Sequence, residues 1–466
     1  MKIEQIYTGC LAQGAYYIES EGEVAIIDPL RETYPYTDKA REEQAVIKYV
    51  FETHFHADFV SGHLDLSQKT GAAIVYGPGA ETGYDIHVAK DSEVFSLGAV
   101  TIKVLHTPGH TLESTTYLLI DENGKDHAIF TGDTLFIGDV GRPDLAIQSD
   151  LTKEDLAGML YDSLRTKIMP LADDVIVYPA HGAGSACGKN LSKETVDTLG
   201  HQKKINYALR ADMTREAFIE EVLEGILPPP QYFAKNAKMN KEGYASFETV
   251  LKQGNTPLTV QAFETLASRE EVLILDVRTQ QEYVKGHIPN AIFIGLNGSF
   301  APWVGTLITD IKQPILLIVP EGKSEEAVTR LSRVGYDTIP GYLKGGMEAW
   351  IHAGKKTETL VSITAATFEK HYEDTPQILD VRKPGEYEAG HVESAKSFPL
   401  DYIHDTMEDI HPESTCYIYC AGGYRSVIAA SVLKAKGFKR LIDIAGGYNA
   451  IKNTAIPLVQ PEFSNT

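Results

Sequence analysis

The sequence predicts a multidomain α/β protein, and three observations carry that prediction. At 466 residues the chain is too long for one hydrophobic core, so about two to four domains are expected. Short β-branched and aromatic runs such as Val46–Phe51 alternate with stretches of helical period such as Leu64–Thr70. From about Thr256 onward a pattern of roughly a hundred residues is written twice, which marks tandem domains rather than a solenoid. The expected divisions are 1–254, 255–358 and 359–466.

Composition narrows the class. A hydrophobic share of 43% and a charged share of 23% are those of an ordinary globular protein. A formal charge of −21 argues against nucleic acid as a partner, because phosphate contacts need a basic face. Met1-Lys2-Ile3-Glu4-Gln5 does not read as a secretory signal, and no run approaches the ~18 apolar residues of a membrane span. Four cysteines, Cys10, Cys187, Cys416 and Cys420, are too few for a disulfide framework. The expectation is a cytosolic protein with reduced thiols and no membrane partner; a homo-oligomer is compatible with everything above.

In the first half, strands are expected over Ile3–Thr8, Gly14–Ile18 and Val24–Ile27, with Asp28-Pro29 as punctuation. Further strands are expected over Ala72–Tyr76, Val100–Leu105, Tyr117–Ile120, His127–Phe130 and Val175–Tyr178, with a turn at Asn123-Gly124. Four strands end in polar clusters. Val46–Phe51 leads to His54-Phe55-His56-Ala57-Asp58-Phe59, and Val100–Leu105 to His106-Thr107-Pro108-Gly109-His110. His127–Phe130 leads to Thr131-Gly132-Asp133, and Val175–Tyr178 to Pro179-Ala180-His181. Residues i and i+2 on extended chain point the same way, so His54 and His56 can converge, with Asp58 within reach. Two imidazoles and a carboxylate are a ligand set that divalent iron, zinc or manganese accepts. His106 has no partner motif and reads as structural.

Taken together, these four clusters resemble the metallo-β-lactamase fold over about the first half of the chain. The resemblance implies an αββα sandwich with a metal site at its strand ends. Dinuclear hydrolases of that family carry a histidine directly after the motif's aspartate. Phe59 stands there in this chain and cannot bind a metal, which favours one metal over two. The sequence resembles persulfide dioxygenases, and that resemblance implies one Fe(II) per chain held by His54, His110 and Asp133. Zinc or manganese could occupy the same ligands in a purified sample. His56, Asp58 and His181 would then orient ligands and substrate. Gly141-Arg142-Pro143-Asp144 resembles the segment that lines the thiol-carrier pocket in those enzymes. Arg142 suits a carboxylate or phosphate, because its planar fork donates two parallel hydrogen bonds. The alternative is that Arg142 pairs with Asp144 or Asp139 inside its loop. Cys187, in a segment that resembles one found in persulfide dioxygenases fused to rhodaneses, is either near substrate or a small packed residue. Leu191 to about Gly243 is charged and of helical pattern.

The repeat in the second half is Ile274-Leu275-Asp276-Val277-Arg278 with Glu282-Tyr283 and Gly286-His287, against Ile378-Leu379-Asp380-Val381-Arg382 with Glu386-Tyr387 and Gly390-His391. Each copy later shows Gly-Gly after an apolar strand, at Gly345-Gly346 and Gly446-Gly447. These motifs resemble the rhodanese domain, an α/β module with a parallel sheet. In the second copy a strand runs into Cys420-Ala421-Gly422-Gly423-Tyr424-Arg425-Ser426 and then a helical stretch. Backbone N–H groups and the positive helix end would lower the Cys420 thiolate pKa and stabilise a terminal persulfide sulfur. Arg425 adds a positive charge, and four residues between Cys420 and Arg425 match rhodaneses. Cys416, inside the strand, reads as inert. The first copy has Pro320-Glu321-Gly322-Lys323-Ser324 at the comparable place and no cysteine, so it reads as a spacer or docking surface.

The expected function is bifunctional: Fe(II)-dependent oxidation of a low-molecular-weight thiol persulfide by O2 to sulfite and thiol, joined to sulfur transfer through a Cys420 persulfide that yields thiosulfate. The carrier thiol is left open among glutathione, coenzyme A and similar molecules. Two alternatives stand beside it: a glyoxalase-II-like thioester hydrolase with an attached sulfurtransferase, and a sulfur-relay or sensing protein with a non-catalytic metal domain.

Overall fold

A computed structural model describes residues 1–146, 151–374 and 377–460. The final residues of the expected third domain, 461–466, lie outside them. The chain divides into two compact units, 1–249 with 331–335, and 250–330 with 336–466.

The first unit holds two six-stranded sheets. One contains β1 (Lys2–Thr8), β2 (Gln13–Ser20), β3 (Glu23–Ile27), β4 (Val46–Phe51), β5 (Ala73–Tyr76) and β6 (His87–Val88), in that spatial order. The other contains β7 (Val94–Leu97), β8 (Val100–His106), β9 (Thr115–Ile120), β10 (Asp126–Gly132), β11 (Ile176–Pro179) and β12 (Asp197–Thr198). Period-two alternation sends the side chains of each strand to both faces of its sheet. In β2, β3 and β4, Ile18, Ala25 and Phe51 meet Ile102, Tyr117 and Phe130 of the facing sheet. Their neighbours Tyr17, Ile26 and Val50 pack instead under the helices Tyr34–Glu42 and His63–Thr70, through Tyr36, Ala40 and Leu66. Behind the second sheet, Leu105, Leu118 and Ile129 are covered by Leu160 of helix Lys153–Ser163 and Phe218 of helix Arg215–Leu223. The layers are therefore helix, sheet, sheet, helix, as the resemblance implies.

Strand ends gather the polar clusters. β10 and β11 run parallel, with Gly132 opposite Pro179, and Thr115 N–H donates to the Thr53 carbonyl beyond β4. Gly132 has φ +53°, and a Cβ there would stand 2.6 Å from the Thr53 side chain, so the two ligand-bearing loops approach at a place only glycine fits.

The second unit contains two parallel five-stranded sheets. The first copy comprises β13 (Pro257–Leu258), β14 (Leu273–Asp276), β15 (Ile292–Phe293), β16 (Ile315–Ile318) and β17 (Gly341–Leu343), in the order β13-β17-β16-β14-β15. The second comprises β18 (Val361–Thr364), β19 (Ile378–Asp380), β21 (Ala395–Ser397), β22 (Cys416–Tyr419) and β23 (Leu441–Ala445), in the order β18-β23-β22-β19-β21. The two orders are the same topology. A short ribbon of β20 (His391–Val392) and β24 (Leu458–Val459) is added to the second copy. The repeated sequence motif makes the same clamp twice. Arg278 holds Asp276 at 2.6 Å and donates to Gly286 O at 2.8 Å, while Arg382 holds Asp380 at 2.6 Å and donates to Gly390 O at 2.6 Å.

Candidate metal centre and persulfide loop

The side chains of His54, His110 and Asp133 are buried, and one ligand atom of each lies within 4.8 Å of the others. His110 Nε2 is 3.4 Å and His54 Nε2 is 3.9 Å from Asp133 Oδ2. Hydrogen bonding sets which ring nitrogen is free. Thr53 Oγ1 donates to Asp28 Oδ2 at 2.8 Å, so at 2.9 Å it can only accept from His54 Nδ1–H. His110 Nδ1 lies 2.8 Å from the Arg142 carbonyl, which accepts and cannot donate. Both rings are therefore Nδ1–H tautomers whose Nε2 lone pairs face Asp133. Burial, with His56, His110 and His181 close by, holds the His54 pKa well below its ordinary value and keeps the ring neutral. Asp133 is 2% exposed, and neither carboxylate oxygen has a hydrogen-bond partner. A buried carboxylate left so is costly unless a cation meets it. This donor set fits a divalent metal.

A second cluster adjoins it. The side chains of His56, Asp58 and His181 also offer ligand atoms within 4.8 Å of one another, and His181 Nε2 is 3.5 Å from both Asp58 Oδ2 and Asp133 Oδ1. His56 is drawn elsewhere as well, with Nε2 3.0 Å from Asp28 Oδ1 and 3.6 Å from Glu52 Oε2. Burial alone would lower its pKa, but Asp28, Glu52 and Asp58 outweigh burial and raise it to about 9. An imidazolium is a poor ligand, so the carboxylates behind His56 compete with any metal in front of it. The Phe59 ring, fully buried, packs against the His56 ring at 4.4 Å between centroids and offers no ligand atom.

Several contributors have no local sequence signature. Asp28, read above as punctuation, has φ +50° and accepts from both Thr53 N–H and Thr53 Oγ1. Asn240, in the helix Phe233–Glu242, donates to the carbonyls of His56 and Phe59 at 2.8 Å and accepts from Ser61 N–H. Glu113 accepts from Phe55 N–H and faces a cavity of about 420 Å³, which Phe55, Asp144, Phe233, Ala237 and Lys241 also line. Asp144 rather than Arg142 is on that wall. The Arg142 guanidinium donates to both Asp144 oxygens at 2.6 and 2.7 Å, to Leu227 O at 2.6 Å and to Ala186 O at 3.3 Å. The pairing with Asp144 is the alternative the sequence left open. Cys187 is buried beside Asp133 and His181, where burial and the Asp58 and Asp133 carboxylates push its thiol pKa well up. His106 lies apart, with Nε2 2.9 Å from Leu112 O.

In the other unit, Cys420 follows β22 and precedes the helix Arg425–Ala435. Gly423 N–H donates to Sγ at 3.1 Å, and Sγ lies 3.6 Å from Ser426 Oγ. Tyr448 N–H and Asn449 N–H hold the carbonyls of Cys420 and Ala421, and a Cβ on Gly447 would fall 2.1 Å from Cys420 O. The loop is thus braced by the second glycine of the Gly-Gly motif. Arg425 does not face Cys420 unengaged: it donates to both Glu386 oxygens, at 2.6 and 2.8 Å, and this pairing holds the Glu386 carboxyl below its usual range. Cys416 is fully buried in β22, where burial raises its pKa to about 11.

An αββα domain with a His/His/Asp cluster at its strand ends, followed by two parallel-sheet modules of which one bears a braced cysteine, defines a candidate metal-binding domain joined to a tandem of α/β modules. The metallo-β-lactamase superfamily model matches residues 8–181, and the rhodanese-like domain model matches 259–353 and 364–454. A probable hydroxyacylglutathione hydrolase of Schizosaccharomyces pombe is 31% identical over 35% of this chain and 60% of its own length. Persulfide dioxygenase ETHE1, mitochondrial, from Homo sapiens is 30% identical over 47% of this chain and 78% of its own length. A solved metallo-β-lactamase from Staphylococcus aureus subsp. aureus COL is 32% identical, with a TM-score of 0.65, over 74% of this chain and 99% of that one. The chain spans between half and two thirds of the two hydroxyacylglutathione hydrolases of S. pombe that it matches. The chain belongs to the metallo-β-lactamase superfamily, in a fusion with two tandem rhodanese domains. Among the described residues no helix is long and apolar enough to cross a membrane.

Proposed function

We propose that this chain is a persulfide dioxygenase with a built-in sulfurtransferase, acting in sulfide detoxification in the cytoplasm. The observation that carries the reading is Phe59 packed on His56, beside a His54/His110/Asp133 cluster whose acidic member lacks any hydrogen-bond partner. That arrangement favours one metal with a facial two-histidine, one-carboxylate set, which leaves the opposite positions open and suits Fe(II). Iron would supply the electrons for O2 activation, which zinc cannot do. The protein's own part is to keep both Nε2 lone pairs aimed, through Thr53 and the Arg142 carbonyl, and to seat the thiol carrier in the cavity beside Phe55 and Asp144. The overall change balances as persulfide, O2 and water giving thiol, sulfite and two protons. Cys420 thiolate then takes the outer sulfur of a second persulfide, releasing the carrier thiolate, and passes it to sulfite as thiosulfate.

Metal analysis of anaerobically purified protein, with O2 uptake on glutathione persulfide and coenzyme A persulfide, tests the reading. Iron near one equivalent and persulfide-dependent O2 uptake are expected. Zinc with anaerobic thioester cleavage would overturn it in favour of a metal-dependent thioester hydrolase. That second reading has its own support in the His56/Asp58/His181 cluster and in the hydroxyacylglutathione hydrolase relatives.

A further inference from the structure

The copy without a cysteine shares a cavity with the cysteine loop of the other. This cavity, of about 200 Å³, has Gln280, Gln281, Val284 and Lys285 of the first copy on one side and Gly422, Gly423 and Asp443 of the second among the residues opposite. Gly423 is the residue whose N–H meets Cys420 Sγ, so the cavity lies one backbone amide away from the thiol. The two copies are tied together at the same place. Tyr424 donates its hydroxyl to Gly295 O at 2.6 Å, and a Cβ on Gly298 would lie 2.3 Å from the Tyr424 ring. Ser431, on the helix after the cysteine loop, accepts from Phe293 N–H in β15.

We propose that helix Gln280–Lys285 of the cysteine-less copy completes the binding site for the small sulfur oxyanion that exchanges sulfur with Cys420, with Lys285 as its cation. The inference rests on the sulfurtransferase part of the proposed function. Three observations converge on it. Lys285 is the only lysine or arginine among the described residues lining the cavity, and the loop's own Arg425 is already engaged by Glu386. Gln280 and Gln281 bring amide side chains to the same wall. Asp443, 2% exposed, lines the same cavity and accepts from Ser362 through Oδ2, while its Oδ1 has no hydrogen-bond partner. Burial raises the Asp443 pKa. Sulfite and thiosulfate are the oxyanions that this chemistry uses. In the loading direction Cys420 thiolate attacks the outer sulfur of thiosulfate. A Cys420 S–S bond forms, the bond to the sulfite sulfur breaks, and sulfite leaves with the electron pair.

The test is steady-state thiosulfate:cyanide sulfur transfer by the full-length protein, comparing wild type with Lys285→Met, Lys285→Glu and Lys285→Arg. Loss of one charge-assisted contact predicts a KM for thiosulfate raised about five- to tenfold in Lys285→Met and further in Lys285→Glu, with the arginine variant near wild type. Gln281→Glu, which adds a negative charge on the same wall without touching Lys285, is expected to raise the KM as well. An unchanged KM in Lys285→Glu would overturn the inference while leaving Cys420 chemistry standing. Absence of any thiosulfate-dependent persulfide on wild-type Cys420 would overturn the inference together with the sulfurtransferase half of the proposed function, and persulfide-dependent O2 uptake would report separately on the metal centre.

Discussion

Thr53 spends its hydroxyl proton on Asp28, and only a lone pair is then left for His54. A Thr53→Val change keeps the shape and removes both bonds, freeing the imidazole to adopt the other tautomer. Metal affinity is expected to fall about 10- to 100-fold, measured by competition with a chromogenic chelator. Phe59→His tests the reading of the second cluster: a metal stoichiometry rising from one toward two under zinc loading is the expected outcome, and an unchanged ratio would count against Phe59 as the deciding residue. The His-x-His-x-Asp spacing was legible because two-residue periodicity at a strand end puts like-facing side chains together. Asp28, Asn240 and Glu113 were not legible, because each acts through a hydrogen bond to residues 25 to 184 positions away in sequence. Arg142 was legible as a strong donor but ambiguous in partner, and only the fold shows Asp144, Leu227 and Ala186 around it.

At the scale of elements, the strands were readable wherever β-branched and aromatic runs were bounded by glycine or Asp-Pro. The tandem repeat was readable from its motif. What the motif is for needed the structure. In both copies a histidine stacks on a tyrosine four residues earlier, His287 on Tyr283 at 4.0 Å and His391 on Tyr387 at 3.7 Å, each with Nδ1 2.9 Å from that tyrosine's carbonyl. His287 is the more buried of the two, and burial pushes its pKa down to about 4. Unfolded, an imidazole titrates near ~6.5, so in the window between ~6.5 and 4 the unfolded chain binds the proton and the native one does not. Stability is therefore full above that window and falls as pH drops through it, by up to roughly 3 kcal/mol. Replacing His287 with Phe should flatten this dependence, which urea melts of the full-length protein between pH 7 and pH 4 would show. A slope in that window equal to wild type would show that other groups set it.

For the whole molecule, a single chain joins a site proposed to make sulfite to a site proposed to consume it, so the two are always present in equal number. Cys420→Ser is expected to leave persulfide-dependent O2 uptake intact while the product shifts from thiosulfate to sulfite, a change that ion chromatography resolves. Loss of O2 uptake in that variant would mean the two sites are not separable. Asn240 bears on a different question, how much chain the metal site needs. All six candidate metal-site residues lie within 8–181, the stretch the superfamily model matches, yet the side chain that pins the His56–Phe59 loop comes from residue 240. Ligand content and structural support thus end about sixty residues apart. A fragment cut at residue 181, where the superfamily model stops, would keep each of those side chains and lose the clasp that pins the His56–Phe59 loop, so the length of chain a metal site needs is set by its supports as well as by its ligands.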